Sequence, residues 1–389
     1  MSSSLISIPF LTYNSEPKKT MISLMSIAMQ EYPYKELIIS DDGSQNIKCF
    51  SIIETFIKEH KEKFTRILFL KNPANQGTIK NLNKARNHVE GEITIGLSPG
   101  DLFYDRSTLG RLLEFYEANK RPPFFCGLQR SYSYDYAIKK SKDIDYMNPN
   151  IKEIRYLKNP EFVFLRLLKG NFLSGASGFV YSREFLSDPK YRIPPEISLL
   201  EDYIIVLLLS LHGYKIPILK EFVMWYEYGS GVSTSKSSKE FRNVLQMDLY
   251  RFLIYLQTNI ESILDKSKIV KKCEMRKAIE KKIKRENRKI ALHNKLRTTA
   301  NPLFRKCIGA VLCPDVAAEV VINRLISSYR KRLARMSREE LIRKQGDGFR
   351  TYIEEFYNNS KWESSEYVNN PVLLEYSTTL HKIKERVEK

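Results

Sequence analysis

The 389-residue chain has no C-x-x-C pair, and its five cysteines, Cys49, Cys126, Cys273, Cys307 and Cys313, are odd in number and scattered. That spacing argues against a disulfide framework and a zinc site, and it fits a reducing cytosol. No run of about 18 apolar residues occurs, so no membrane span is expected. The start, Met-Ser-Ser-Ser-Leu-Ile, lacks the basic region and apolar core of a secretory signal, so secretion is not expected. Acidic residues are scarce in one region only. The formal net charge is +19, from 64 Lys plus Arg against 45 Asp plus Glu. Residues 1–230 hold 30 basic and 26 acidic residues, and residues 266–344 hold 24 and 7. The excess therefore belongs to one downstream segment.

What is present is a repeated alternation of apolar runs and helical stripes. Glu36 to Ser44 reads Glu-Leu-Ile-Ile-Ser-Asp-Asp-Gly-Ser, an apolar run closed by two acids and a turn. This pattern describes a buried parallel strand ending in a polar loop. Asp41 and Asp42 there can accept hydrogen bonds from a ring N–H or a ribose, or help to hold a divalent cation, or simply form a turn. Leu5 to Leu11 reads as a first strand with Thr12-Tyr13-Asn14 as its polar end. Helices are expected at 18–30, 47–57 and 78–88, and strands at 66–70 and 92–97. Alternating β/α of this kind predicts a parallel sheet with right-handed crossovers. The strand at 92–97 ends in Ser98-Pro99-Gly100-Asp101, which places Asp101 on the same sheet edge as Tyr13, Asp41 and Asp42, where open α/β sheets bind ligands.

Six motifs in one order carry a resemblance. Residues 7–14, Gln30 to Pro33, Glu36 to Ser44, Asn75-Gln76-Gly77, Gly91-Glu92-Ile93 and Leu97 to Tyr104 resemble the inverting family 2 glycosyltransferases with the GT-A fold. The resemblance covers about residues 4–235. It implies an α/β fold with a Rossmann-like, mostly parallel sheet flanked by helices, followed by an α-helical C-terminal extension. The division expected is 1–235 as catalytic domain and 236–389 as a basic helical region.

The resemblance also implies roles. Tyr13, flanked by Thr12 and Asn14, would stack on the nucleotide base, and Asp42 with Asp41 would bond the base or ribose. Lys80 would reach the base or a phosphate, or stand as a solvated helix lysine. Asp101 matches the last acid of the family's Asp-x-Asp motif, while Ser98 and Gly100 replace its other acids. Mg²⁺ or Mn²⁺ would then rest on Asp101, diphosphate oxygens and water, with reduced affinity. Ser174, Gly175 and Ala176 correspond to the region under the acceptor and donor sugar. Glu201-Asp202 opens an apolar helix, where capping is one role; the resemblance makes Asp202 the general base and Glu201 its orienting neighbour. Gly231 and Ser233 lie in a Gly/Ser-rich segment expected to act as a lid or linker.

A nucleotide-sugar donor and a glycan or lipid-linked glycan acceptor are therefore the expected partners. The basic helices of 266–344 would rest on an anionic membrane at its inner face, form a solvated bundle, or make a homodimer. Nucleic acid is not expected, because aromatics are not interleaved with the basic residues of 266–297. A nucleic-acid-binding protein, suggested by the net charge, is nevertheless the competing class, and a non-catalytic scaffold, suggested by Ser98 and Gly100 in place of acids, is a third.

Overall fold

The computed structural model describes residues 4–45, 47–135, 140–149, 155–169, 177–229, 239–265, 272–296, 338–349 and 353. The first half alternates β1 (Ile6–Thr12), α1 (Pro17–Ala28), β2 (Lys35–Asp41), α2 (Ile47–His60), β3 (Arg66–Lys71), α3 (Thr78–Arg86) and β4 (Ile93–Ile95). These strands lie in the order β3-β2-β1-β4, all parallel. Leu37, Ile38 and Ile39 are consecutive and all fully buried, so both faces of β2 are covered and the strand reads as an unbroken apolar run. α1 starts with Pro17 at its first position and with the Glu16 carboxylate accepting the Lys19 N–H at 2.9 Å. In register, Thr12 faces Asp41 and Phe10 bridges Leu97, which brings the C-terminal ends of β1, β2 and β4 to one edge as the alternation predicts.

The second half is mixed. It comprises β5 (Leu102–Phe103), α4 (Thr108–Ala118), β6 (Phe124–Asp135), β7 (Lys140–Asn148), α5 (Pro160–Lys169), β8 (Phe179–Ser182), α6 (Arg183–Ser187), α7 (Glu201–Leu211) and β9 (Ile218–Glu227). The sheet continues β4-β8-β6-β9-β5, with β8 antiparallel to both neighbours and β5 antiparallel to β9. The sheet is thus α/β throughout, parallel in its first half and mixed in its second.

One expectation is corrected. The stretch from Tyr132 to Asn159 reads as a loop, yet β6 and β7 pair antiparallel across much of it. Tyr132 and Tyr134 are both buried, so the period-2 signal is carried by tyrosines that a lysine-rich text masks.

The helical region packs on this sheet domain through α8 (Lys239–Asp265) and α9 (Lys272–Leu296). Phe252, Leu256, Ile260 and Leu264 on α8, and Met275, Ile279 and Ile283 on α9, are buried at four-residue spacing. Segment 338–349 returns to β6 and β9. Asp347 pairs with the fully buried Arg130 at 2.8 Å, and the Tyr104 hydroxyl donates to the Gly346 carbonyl at 3.1 Å. The Arg130 guanidinium lies 4.5 Å from the Trp225 ring centre. Helices expected at 302–312 and 315–336 fall outside the described residues. No helix among the described residues is long and apolar enough to cross a membrane.

Candidate active site

Three of the sequence motifs form a single loop cluster. Asp41 is buried, and its carboxylate accepts the Ser44 N–H at 2.8 Å and the Ser44 hydroxyl at 2.5 Å. Asp42 accepts from the N–H groups of Gln76 and Gly77 and from the Asn72 amide, each at 2.9 Å. Asn14 donates its N–H to the Ser44 hydroxyl at 2.7 Å and accepts the Gln45 N–H at 2.8 Å. Gly43 has φ +77°, and a Cβ there would lie 2.6 Å from the Ala74 backbone, so only glycine lets the two loops close. The Thr12 hydroxyl donates to Ser15 at 2.9 Å. With three of about four acceptor sites on Asp42 taken, one remains for a ligand donor. Tyr13, 48% exposed, leaves its ring open beside it, and Lys80 is exposed on α3.

The Ser-Pro-Gly-Asp stretch is a type II turn: the Ser98 carbonyl accepts the Asp101 N–H at 2.9 Å, Pro99 is second and Gly100 has φ +99°. The turn sets Asp101 in the wall of a cleft of about 160 Å³ that Ser98, Arg86, Tyr181 and Glu201 also line. Burial pushes the Asp101 carboxyl up to about 7; the Glu227 N–H and the Ser177 hydroxyl, at 3.2 and 3.1 Å, oppose the rise, and the Glu227 charge adds to it. An acid whose folded value is raised loses stability as pH climbs from its unfolded value toward the folded one. Asp101→Asn is therefore expected to be more stable than the parent at pH 8 and to lose that advantage by pH 4. A rise of the carboxyl to about 7 sets an upper bound of about 4 kcal/mol on the difference. Urea denaturation at both pH values checks this, and a variant equally destabilised at both overturns it.

Glu201, which also lines the cleft, and Asp202 open α7. Glu201 is buried, and an Arg86 guanidinium nitrogen lies 2.5 Å from its Oε1. Burial raises the Glu201 carboxyl above its ordinary value, and Arg86 opposes the rise. The guanidinium also rests 4.7 Å from the Tyr181 ring centre. Asp202 is half-buried and accepts the Tyr203 N–H at 2.7 Å, one of the first-turn N–H groups that a helix leaves unpaired. Ser174, Gly175, Ala176, Gly231 and Ser233 lie outside the described residues.

Sequence reasoning passed over Arg86, Tyr181 and Glu227. Thr78, Leu82 and Arg86 all line the cleft at four-residue spacing, so the helical period of α3 was the available signal for Arg86. Glu227, buried on β9, sits against Gly100 and pairs with Lys19 at 2.7 Å. No group of three His, Cys, Asp or Glu residues able to hold a metal occurs among the described residues. Asp101 fits instead as the single protein ligand of a cation carried by a diphosphate, the mode in which Mg²⁺ is held by one or two carboxylates plus substrate phosphates.

Residues 7–186 match the family model described as glycosyl transferase family 2. An uncharacterized glycosyltransferase of Methanocaldococcus jannaschii, MJ1057, is 25% identical over 229 residues, 58% of this chain and 71% of that protein. Among solved structures, residues 1–349 of Staphylococcus aureus TarS in complex with UDP-GlcNAc align with TM-score 0.48 and 17% identity, covering 91% of this chain and 92% of that one. Pyrobaculum calidifontis mannosyltransferase PcManGT, in complex with GDP-Man and Mn²⁺, aligns with TM-score 0.47 and 15% identity, covering 88% of each chain. Against the longer TarS chain the alignment has TM-score 0.44 and 18% identity, and it covers 67% of this chain and 43% of that one.

Proposed function

Residues 7–186 make this chain a member of glycosyltransferase family 2, and from that premise we propose that it is an inverting transferase. It moves one sugar from a UDP- or dTDP-sugar to a hydroxyl of a surface polysaccharide or glycolipid. The observation that carries the reading is a single cleft lined by both Asp101 and Glu201, the latter adjacent in sequence to Asp202.

In this reading Tyr13 stacks on the base, a contact of about 1 to 3 kcal/mol. The remaining acceptor position of Asp42 takes the ring N–H. Asp101 would hold a diphosphate-bound Mg²⁺ or Mn²⁺, which would supply positive charge against the charge of the departing nucleotide. Asp202 takes the proton of the acceptor hydroxyl, and that oxygen bonds to the anomeric carbon from the face opposite the diphosphate. The bond from anomeric carbon to diphosphate oxygen breaks, the nucleoside diphosphate leaves with its electron pair, and configuration inverts. No nucleophilic side chain is needed. Arg86 favours Asp202 over Glu201 as the base, because the Glu201 carboxylate is already committed to a buried ion pair.

A panel of UDP- and dTDP-sugars, read first by thermal shift and then by nucleotide release with and without Mn²⁺, tests the reading. At least one sugar is expected to raise the melting temperature and turn over. A panel with neither effect overturns the assignment. For the acceptor, the basic stretch 266–344 favours a lipid-linked glycan at an anionic membrane surface, each nearby Lys or Arg adding about 1 kcal/mol of attraction. Flotation with phosphatidylserine vesicles is expected to carry the protein upward at low salt, and a protein left at the bottom of the gradient excludes this surface.

A further inference from the structure

The segment that leads into α7 is held by a residue that lies far beyond the family match. Asp248, on α8, is fully buried, and its Oδ2 accepts the N–H groups of Ser198 at 3.0 Å and Leu199 at 2.7 Å. Its Oδ1 lies 3.5 Å from the half-exposed Arg251 and makes no hydrogen bond. Arg251 in turn donates to the Glu196 carbonyl at 3.2 Å, two residues upstream of the held pair. On the other side, the Ser198 carbonyl accepts the Ile79 N–H at 3.4 Å, in the first turn of α3, just past the Gln76-Gly77 turn that Asp42 holds.

A carboxylate wholly removed from water is costly unless its hydrogen bonds are good, and two charge-assisted bonds from adjacent backbone N–H groups are strong ones. Such an arrangement fixes the direction of the chain through Ser198 and Leu199. α7 has no side-chain N-cap: Leu200 occupies that position and makes no capping bond. The placement of the first-turn acids therefore depends on the segment before them, and that segment is set by Asp248.

We propose that Asp248 is a positioning residue for the transfer reaction. By clamping Ser198 and Leu199 it aims Asp202 at the acceptor hydroxyl, so the helical region after residue 236 completes the catalytic centre rather than only covering the sheet. The inference rests on the reading of Asp202 as the base. A reacting group misplaced by about 1 Å can cost about 10²-fold in rate, whereas Asp42 is joined to the clamp only at one remove, through the 3.4 Å bond of Ile79 to Ser198.

The test compares Asp248→Ala and Asp248→Asn with the parent protein, using the sugar selected by the donor panel and reading kcat, donor KM and the donor-induced rise in melting temperature. Asp248→Ala is expected to lower kcat by about 10- to 100-fold while donor KM and the melting rise stay within about twofold. Asp248→Asn retains one oxygen acceptor and is expected to restore kcat to within about threefold of the parent. The proposal is overturned if Asp248→Ala keeps kcat within twofold, if its loss is not restored by Asp248→Asn, or if kcat, KM and the melting rise collapse together. Should Asp248→Ala not fold, Asp248→Ser, with room for one water, is read on the same quantities and thresholds. Asp202→Asn separates the two ideas. If it is inactive while Asp248→Ala is normal, only the positioning role fails; if it is fully active, the base assignment fails with it.

Discussion

Asp202→Asn is expected to lower kcat by about 10² to 10⁴-fold, the contribution of a positioned general base, with donor KM and the donor-induced melting rise nearly unchanged. The substitution is isosteric, and the amide oxygen can still accept the Tyr203 N–H that Asp202 now receives at 2.7 Å, so the start of α7 is preserved. What is lost, in the proposed mechanism, is the capacity to take a proton from the acceptor. Glu201→Gln makes the contrast. Glu201 is engaged by Arg86, so its substitution is expected to cost less in kcat and more in stability. Steady-state kinetics of both variants decides between them: full activity in Asp202→Asn together with a collapse in Glu201→Gln would move the base to Glu201.

The second large effect is on stability. Removing Arg86 leaves Glu201 buried without its counter-charge, and breaking a buried pair from one side costs about 3 to 5 kcal/mol. Arg86→Met is therefore expected to lower the free energy of unfolding in urea by that amount near neutral pH. The sign with pH follows from the raised Glu201 carboxyl, a shift that grows when the guanidinium is gone. Protonation relieves the unpaired charge, so the loss is smaller at pH 5 than at pH 8. The double variant Arg86→Met with Glu201→Gln should recover most of the difference, because the remaining side chains are neutral. A single variant within 1 kcal/mol of the parent at pH 8 would show that the pair adds no such stability.

Much of the first half of the fold was legible because buried parallel strands leave apolar runs and their crossover helices leave stripes. β1, β2, β3 and β4 all lie where the alternation put them. β5 has two residues, too few to leave any periodic signal, and the β6–β7 pairing was hidden among tyrosines and lysines. The site was legible wherever a motif stands at a strand end, as with Asp41, Asp42 and Asp101. It was not legible where a residue acts across the chain. Arg86 meets Glu201 at a separation of 115 positions and Asp248 meets Ser198 at 50, and no local pattern encodes such a pairing. The carboxylates of Asp41 and Asp42 also do more than a motif suggests, since most of their acceptor capacity holds the loops together before any ligand arrives.

Gly100 and Glu227 bear on the routes by which this sequence can change. A Cβ at position 100 would stand 2.2 Å from Glu227 Oε2, on a backbone with φ +99° that side chains rarely adopt. An acid at position 100 in the present background therefore meets a strained backbone and the far end of the Glu227 side chain, which must move aside. A smaller side chain at position 227 frees that space and gives up the pair with Lys19. Positions 100 and 227 are therefore expected to be coupled, a substitution at either one changing what the other tolerates.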